Sequence, residues 1–308
     1  MPKKISIIVP VCNEKSNVPL LVNALCTVME TLPYTYSITF VDDGSNDGTT
    51  EEVKALAQQN SSVFYIALSR NFGHQNALKA GLDLSDGDAV ISLDGDLQHP
   101  PTLIPTLIEL WEEGNDIVYT IRQDHQEMPM MKRKTSNLFY QLMNKLSDIE
   151  IEAGTADFRL MDKRVVDICR NFSEMDLFWR GLIKWIGFKQ VGIEYEPAER
   201  KFGKSKYTYK KMMQFALRGI TSFSIKPLTI AIYLGFTFSI LSLLYIPYVL
   251  YALLFGHVIS GWASMIVTIA FFGGLQLMIL GIIGMYLGKL FLQSKERPHY
   301  IIKESNVQ

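Results

Sequence analysis

Ala89-Val90-Ile91-Ser92-Leu93-Asp94-Gly95-Asp96-Leu97-Gln98-His99-Pro100-Pro101 passes from a short apolar run straight into a cluster of carboxylate, amide and imidazole side chains. Five apolar or small residues bounded by turn formers read as a buried strand. Outward from it, apolar runs recur at Ile5–Val11, Ser37–Val41, Val63–Leu68 and Asp116–Thr120, with helical patterns between them at 17–31, 49–58, 74–83 and 102–113. Such alternation predicts an α/β fold with a mostly parallel sheet covered by helices, completed by strands near Phe158–Met161 and Val191–Glu196. Ligands of these sheets lie beyond the carboxyl ends of the strands. That rule selects Pro10–Glu14, Asp42–Asp47, Ser69–Asn71 and Asp94–His99.

Two Asp-Gly-Asp triplets flank the same strand, and position separates them. Asp86-Gly87-Asp88 precedes it and reads as a turn, whereas Asp94-Gly95-Asp96 ends it on the ligand edge. Alternate carboxylates there suit Mg²⁺ or Mn²⁺, hard cations held by one or two carboxylates plus substrate phosphates. Gln98 and His99 follow closely enough to add a ligand or a supporting bond, and Gly95 would let a ligand approach. Asp42-Asp43-Gly44-Ser45 also follows a strand; it can bind a base or ribose, or form an Asx turn at the start of the next helix. The first strand leads into Pro10-Val11-Cys12-Asn13-Glu14 rather than a glycine-rich loop, which excludes dinucleotide-dependent hydride transfer of the usual design.

From Pro227 to Gly288 there is no Asp, Glu, Lys or Arg, although 20% of the chain is charged. About 20 apolar residues cross a bilayer, so the run predicts two transmembrane helices, 227–255 and 262–288, joined by Gly256-His257-Val258-Ile259-Ser260-Gly261. Residues 200–226 carry eight basic residues and no acid, and Lys289, Lys295, Arg297 and Lys303 follow the second span. By the positive-inside rule both termini and the N-terminal domain are expected in the cytoplasm. No signal-peptide pattern opens the sequence, and Cys12, Cys26 and Cys169 lack metal-like spacing, as expected of reduced thiols. Residues 1–199 hold 18 basic against 29 acidic residues, a balance unsuited to nucleic acid. The expected organisation is therefore a domain at 1–199, a basic amphipathic interface segment at 200–226, the spans, and a tail at 289–308. Met128 to Lys134 reads as a mobile, basic and apolar stretch or as the start of a solvated helix.

The motifs together resemble a known family. Val9-Pro10-Val11-Cys12-Asn13-Glu14, Val41-Asp42-Asp43-Gly44-Ser45 and Asp94 to Pro101 are similar to the inverting family 2 glycosyltransferases, which have the GT-A nucleotide-sugar fold. Ala156-Asp157-Phe158-Arg159-Leu160-Met161, Arg200 to Tyr207 and the paired spans resemble the branch that glycosylates polyprenyl phosphates, including dolichol-phosphate mannose synthases and GtrB-type bactoprenol glucosyltransferases. Cys12 stands where an aromatic is common, and the Gln-x-x-Arg-Trp signature of processive synthases is missing. The resemblance implies that Pro10, Glu14, Asp42, Asp43, Arg70 and Asp94 line the nucleotide-sugar pocket and that Asp94, Asp96 and Gln98 bind the metal. It implies that Asp157, Asp96 and Arg200 are catalytic, and that Arg200, Ser205 and Lys206 meet the phosphate of donor or acceptor.

The expected reaction moves one sugar, from UDP-glucose or another UDP-hexose, to undecaprenyl phosphate at the cytoplasmic face of a bacterial inner membrane. A GDP-mannose donor, another acceptor, or a non-catalytic nucleotide-binding subunit of a flippase system are the competing readings. A phosphate monoester has its second pKa near 6, so the acceptor is already a nucleophile at neutral pH. Asp157 is therefore expected to orient a basic residue such as Arg200 or Lys206, or to hold the sugar, rather than to remove a proton. Gly281, Gly284 and Gly288 place small residues along the second span, suited to packing on the first span or to a homo-oligomer.

Overall fold

The computed structural model describes residues 3–123, 154–196, 224–256 and 261–307. Eight strands form one sheet in the order β7-β5-β6-β4-β1-β2-β3-β8. The first five alternate with helices: β1 (Lys4–Val11), α1 (Val18–Met29), β2 (Thr35–Asp42), α2 (Thr49–Gln59), β3 (Val63–Leu68), α3 (His74–Leu84), β4 (Ala89–Ser92), α4 (Ile104–Glu112) and β5 (Ile117–Arg122). Then come β6 (Thr155–Asp162), α5 (Lys163–Arg170), α6 (Trp179–Ile186), β7 (Gln190–Tyr195), α7 (Lys226–Leu254), α8 (Trp262–Gln293) and β8 (Ile302–Ser305). A strand sends successive side chains to opposite faces. Ile5, Ile7 and Val9 accordingly join a core with α1 and α4, while Ile8 faces Val41, Leu78 and Leu82 on the other side. Both faces are buried, which is why the parallel strands read as unbroken apolar runs.

The sheet is mostly parallel, as expected, with two exceptions that matter. β6 runs antiparallel between β4 and β5, with Ala89 opposite Asp162 and Ser92 opposite Arg159. Its first residues therefore lie beside the carboxyl end of β4, which brings Asp157 to the level of Asp94. Asp86 and Asp88 sit at the opposite edge, where Asp88 accepts from the Lys4 backbone N–H at 2.8 Å and Asp86 pairs with Lys4 Nζ at 2.6 Å.

The second exception is β8, for which the sequence reading had only a tail. It pairs antiparallel with β3 and covers that edge of the sheet. Lys54 pairs with Glu304 at 2.5 Å, Asn306 Oδ1 accepts from Tyr65 N–H at 2.6 Å, and Tyr300 donates to Asp83 at 2.9 Å. Removing residues 298–308 would uncover the β3 edge. The thermal midpoint is expected to fall by roughly 5–10 °C, at about 2–4 °C per kcal/mol for a domain of this size; an unchanged melting curve would make the strand dispensable.

Among the described residues one helical stretch, Ser264–Gln293, is long and apolar enough to cross a membrane. α7 lies against it: Phe238 meets Phe271 and Phe272 edge-on at 5.7 and 5.6 Å, and Tyr286 donates to the Ser224 carbonyl at 2.7 Å. The glycines of α8 face open space, with no atom within 4 Å of a Cβ built at Gly281, Gly284 or Gly288.

Candidate active site

The carboxyl ends of β1, β2, β3 and β4 carry the four loops that the strand-end rule selects, and the loops brace one another. Asp42 is buried and accepts from Ser45 N–H at 3.0 Å, from the Ser45 hydroxyl at 2.5 Å and from the Thr50 hydroxyl. Asp43 is buried too, and accepts from the backbone N–H groups of Phe72 at 2.6 Å and Gly73 at 3.0 Å. Burial pushes the Asp43 carboxyl up, against the opposing pull of those two donors. Both carboxylates thus shape the loops; any contact with a base or ribose would use their remaining lone pairs. Gly44 has φ +67°, and a Cβ there would stand 2.5 Å from the Arg70 carbonyl carbon. Only glycine accepts both conditions. Arg70 lies over the Phe72 ring at 4.0 Å, Glu14 accepts from Asn17 at 2.6 Å, and Pro10 is buried at the end of β1.

The Asp94–His99 loop is held from behind by its own histidine. His99 Nδ1 accepts from Asp94 N–H at 3.0 Å, which puts the ring proton of the neutral form on Nε2, 3.8 Å from Asp94 Oδ2. The ring stacks on Phe158 at 5.3 Å and meets the edge of Tyr195 at 6.0 Å. Leu97 has φ +63°, strain of the kind that clusters at ligand sites. Its turn lets Gln98 N–H donate to Asp96 Oδ1 at 3.1 Å, while the Gln98 amide oxygen faces Arg122 at 3.4 Å. A Cβ on Gly95 would stand 2.6 Å from Val11 Cγ1. The close packing of the loop on the end of β1 is by itself a reason for glycine at this position.

Asp157 is the electrostatic centre. Its Oδ1 lies 3.0 Å from Arg159 Nη2 and 3.3 Å from Arg180 Nε, and its Oδ2 lies 3.2 Å from Arg180 Nη2. Burial alone would raise the Asp157 pKa, but Arg180, Arg159 and His74 outweigh it and hold the carboxyl well below the usual carboxylate range. His74 Nε2 bridges the two acid sites, 3.4 Å from Asp94 Oδ1 and 3.8 Å from Asp157 Oδ2. Trp179 bolts the start of α6 to the start of α3: its backbone N–H donates to Gln75 Oε1 at 3.1 Å and its indole to the Gln75 carbonyl at 2.9 Å. That contact brings Arg180 and His74 together at Asp157 Oδ2.

Arg200, Ser205 and Lys206 lie outside the described residues, as do the stretch Met128 to Lys134 and nearly all of the basic segment. Among the described residues, Asp157 is paired with Arg159 and Arg180. Arg159 was legible, since residues two apart on a strand share a face. Arg180 and His74 carried no such signal, because each comes from the first turn of a different helix.

The profile of Glycosyl transferase family 2 matches residues 6–169, more than half of the chain. The chain belongs to that family. It is 42% identical over 301 residues to the bactoprenol glucosyl transferase of Shigella phage SfV, covering 97% of this chain and 98% of that one. It is equally similar to the uncharacterised glycosyltransferase YkcC of Bacillus subtilis, covering 97% and 93% of the two chains. A prophage bactoprenol glucosyl transferase homologue from Escherichia coli K12 is 40% identical over 301 residues, with 97% and 98% covered. In solved structures, mannosyl-3-phosphoglycerate synthase from Rubrobacter xylanophilus superposes with a TM-score of 0.51 over 71% of this chain and 73% of that one. At 17% identity the likeness shows a shared GT-A-like fold.

Proposed function

We propose that this glycosyltransferase moves a single glucose from UDP-glucose to a polyprenyl phosphate at the cytoplasmic face of a bacterial membrane, with inversion. The supporting observation is that similarity to bactoprenol glucosyl transferases runs through the apolar C-terminal helices, which a soluble acceptor would not require. In this reading α7 and α8 both span, the catalytic domain and both termini face the cytoplasm, and the open glycine face of α8 serves a homo-oligomer.

A divalent cation fits the strand end. Asp94 Oδ1 is buried and accepts no hydrogen bond within the described residues, its neighbour being His74 Nε2 at 3.4 Å, and among the described residues no three His, Cys, Asp or Glu side chains form a complete cage. That is the donor set of an ion completed by substrate phosphates. Asp94, Asp96 and Gln98 would hold Mg²⁺ or Mn²⁺, which would neutralise charge on the departing diphosphate. Pro10, Glu14 and Arg70 would face the nucleotide across loops that Asp42 and Asp43 keep in place. Asp157, ionised and clamped, is a weak base, since proton transfer is best from groups with a pKa near the working pH. Its role is to aim Arg180 at the anionic reactants, with Arg159 as the buried brace. Arg200, Ser205 and Lys206 would add cations around the incoming phosphate.

The test is partition of label. With UDP-[¹⁴C]glucose and the purified full chain, counts should enter an organic phase only when undecaprenyl phosphate is added. Label that stays aqueous, or that enters protein or glycan instead, would remove the lipid acceptor from the account.

A further inference from the structure

α6 is amphipathic with one residue out of place. Trp179, Leu182, Ile183 and Ile186 take the i, i+3, i+4, i+7 positions of the inward face, and the first three are buried. The remaining positions should be polar, and Arg180 and Lys184 are. Trp185 is not: its side chain stands on the outward face, 64% exposed. Phe172 meets its ring edge-on at 6.3 Å, and Ile168, also exposed, precedes Phe172 by one helical turn.

The neighbourhood of this patch shows what covers it. Ser173, next to Phe172, accepts from the Gln293 side-chain amide at 2.8 Å, and Met175 N–H donates to Gln293 Oε1 at 2.9 Å. Lys289 pairs with Asp176 at 3.3 Å. The last turn of α8 therefore abuts the loop that carries Phe172. Ser264–Gln293 has 30 residues, a length of about 45 Å, against about 40–45 Å for a bilayer with its headgroups. On the reading of α8 as a span, which this inference presupposes, Gln293 and Lys289 lie in the headgroup layer, and the Trp185 patch lies beside them.

We propose that Trp185, backed by Phe172, is a docking surface for anionic lipid headgroups on which the catalytic domain rests. Tryptophan favours that layer because its ring is apolar and its N–H polar. Lys184 and Lys189 are exposed to either side of it in sequence, and of the acids nearby Asp176 is paired with Lys289 and Asp167 with Arg170. Charge on the patch thus suits an anionic surface. The same short helix carries Arg180 at its inner end, against Asp157. α6 would then set the height and tilt of the active site over an acceptor phosphate lying in the same layer.

Tryptophan fluorescence of the full chain in vesicles of phosphatidylcholine and phosphatidylglycerol tests this. Trp185→Phe defines the share of emission that belongs to Trp185. That share should be quenched by chains brominated near the carbonyl end and shielded from aqueous iodide. Quenching by iodide but not by bromolipid, in protein that stays with alkali-washed vesicles and still transfers glucose, would overturn the docking surface while leaving the span intact. Protein washed off the vesicles would sink the span and the surface together. Trp185→Ser should slow transfer to membrane-embedded polyprenyl phosphate several-fold yet match wild type on a short-chain acceptor in detergent. Equal rates on both acceptors would contradict the proposal.

Discussion

Asp157→Asn is expected to lower the rate of transfer by about a hundredfold or more, the order of loss that misplacing a catalytic group by 1 Å can bring. The exchange keeps the shape of the side chain and removes the charge that holds Arg159 and Arg180. It also leaves the buried Arg159 uncompensated, which costs about 3–5 kcal/mol when one partner of a buried pair is removed. Activity and stability can be separated. Adding Arg159→Met should restore much of the thermal midpoint and none of the activity, because Arg180 would still be unheld. Recovery of both together would mean that Asp157 is purely structural.

The pH dependence has a definite sign. The Asp157 carboxyl lies below its ordinary range in the folded protein, so its stabilising contribution is complete above the unfolded value, near 4. It is lost only in acid, as the pH falls through the lower folded value. Between pH 5 and 9 this group does not titrate, and the wild-type rate profile should contain no limb that Asp157→Asn removes. A limb that vanishes in that variant alone would make Asp157 a proton acceptor.

Asp94→Asn should behave in the opposite way: a large loss of activity with little change in melting. Asp94 Oδ1 accepts no hydrogen bond within the described residues, and the side-chain oxygen of an Asn can still face His74 Nε2 at 3.4 Å, so the exchange strands no donor. What is lost is affinity for the cation, worth several kcal/mol of charge stabilisation and so on the order of 10²–10³ in rate. Calorimetry should show UDP binding that Mn²⁺ strengthens in the wild type and leaves unchanged in Asp94→Asn. Full transfer by the wild type in excess EDTA would contradict the metal site.

The strands of the sheet were legible because a strand buried on both faces leaves a plain apolar run, and β1 to β5 announce themselves that way. The ends of those runs then located the Asp42, Arg70 and Asp94 loops. Three things were not legible. The direction of β6 is invisible to hydrophobic pattern, so nothing local said that Asp157 would meet Asp94. Arg180 and His74 reach the site from helix starts about a hundred residues apart, joined through Trp179 and Gln75. β8 spans only Ile302–Ser305 and sits among Lys, Glu and Asn side chains; it is a strand because β3 offers an edge. The packing of Gly95 on Val11 was not legible either, because it joins two strand ends more than eighty residues apart in sequence.

Mass spectrometry of the lipid extract tests the central claim most directly. The purified full chain would be incubated with undecaprenyl phosphate, Mg²⁺ or Mn²⁺, and UDP-glucose, GDP-mannose or a UDP-aminosugar in parallel. The account predicts one new species, undecaprenyl phosphate plus a single hexose, from UDP-glucose. A ladder of hexoses, or no glycosylated lipid with any donor, would contradict it.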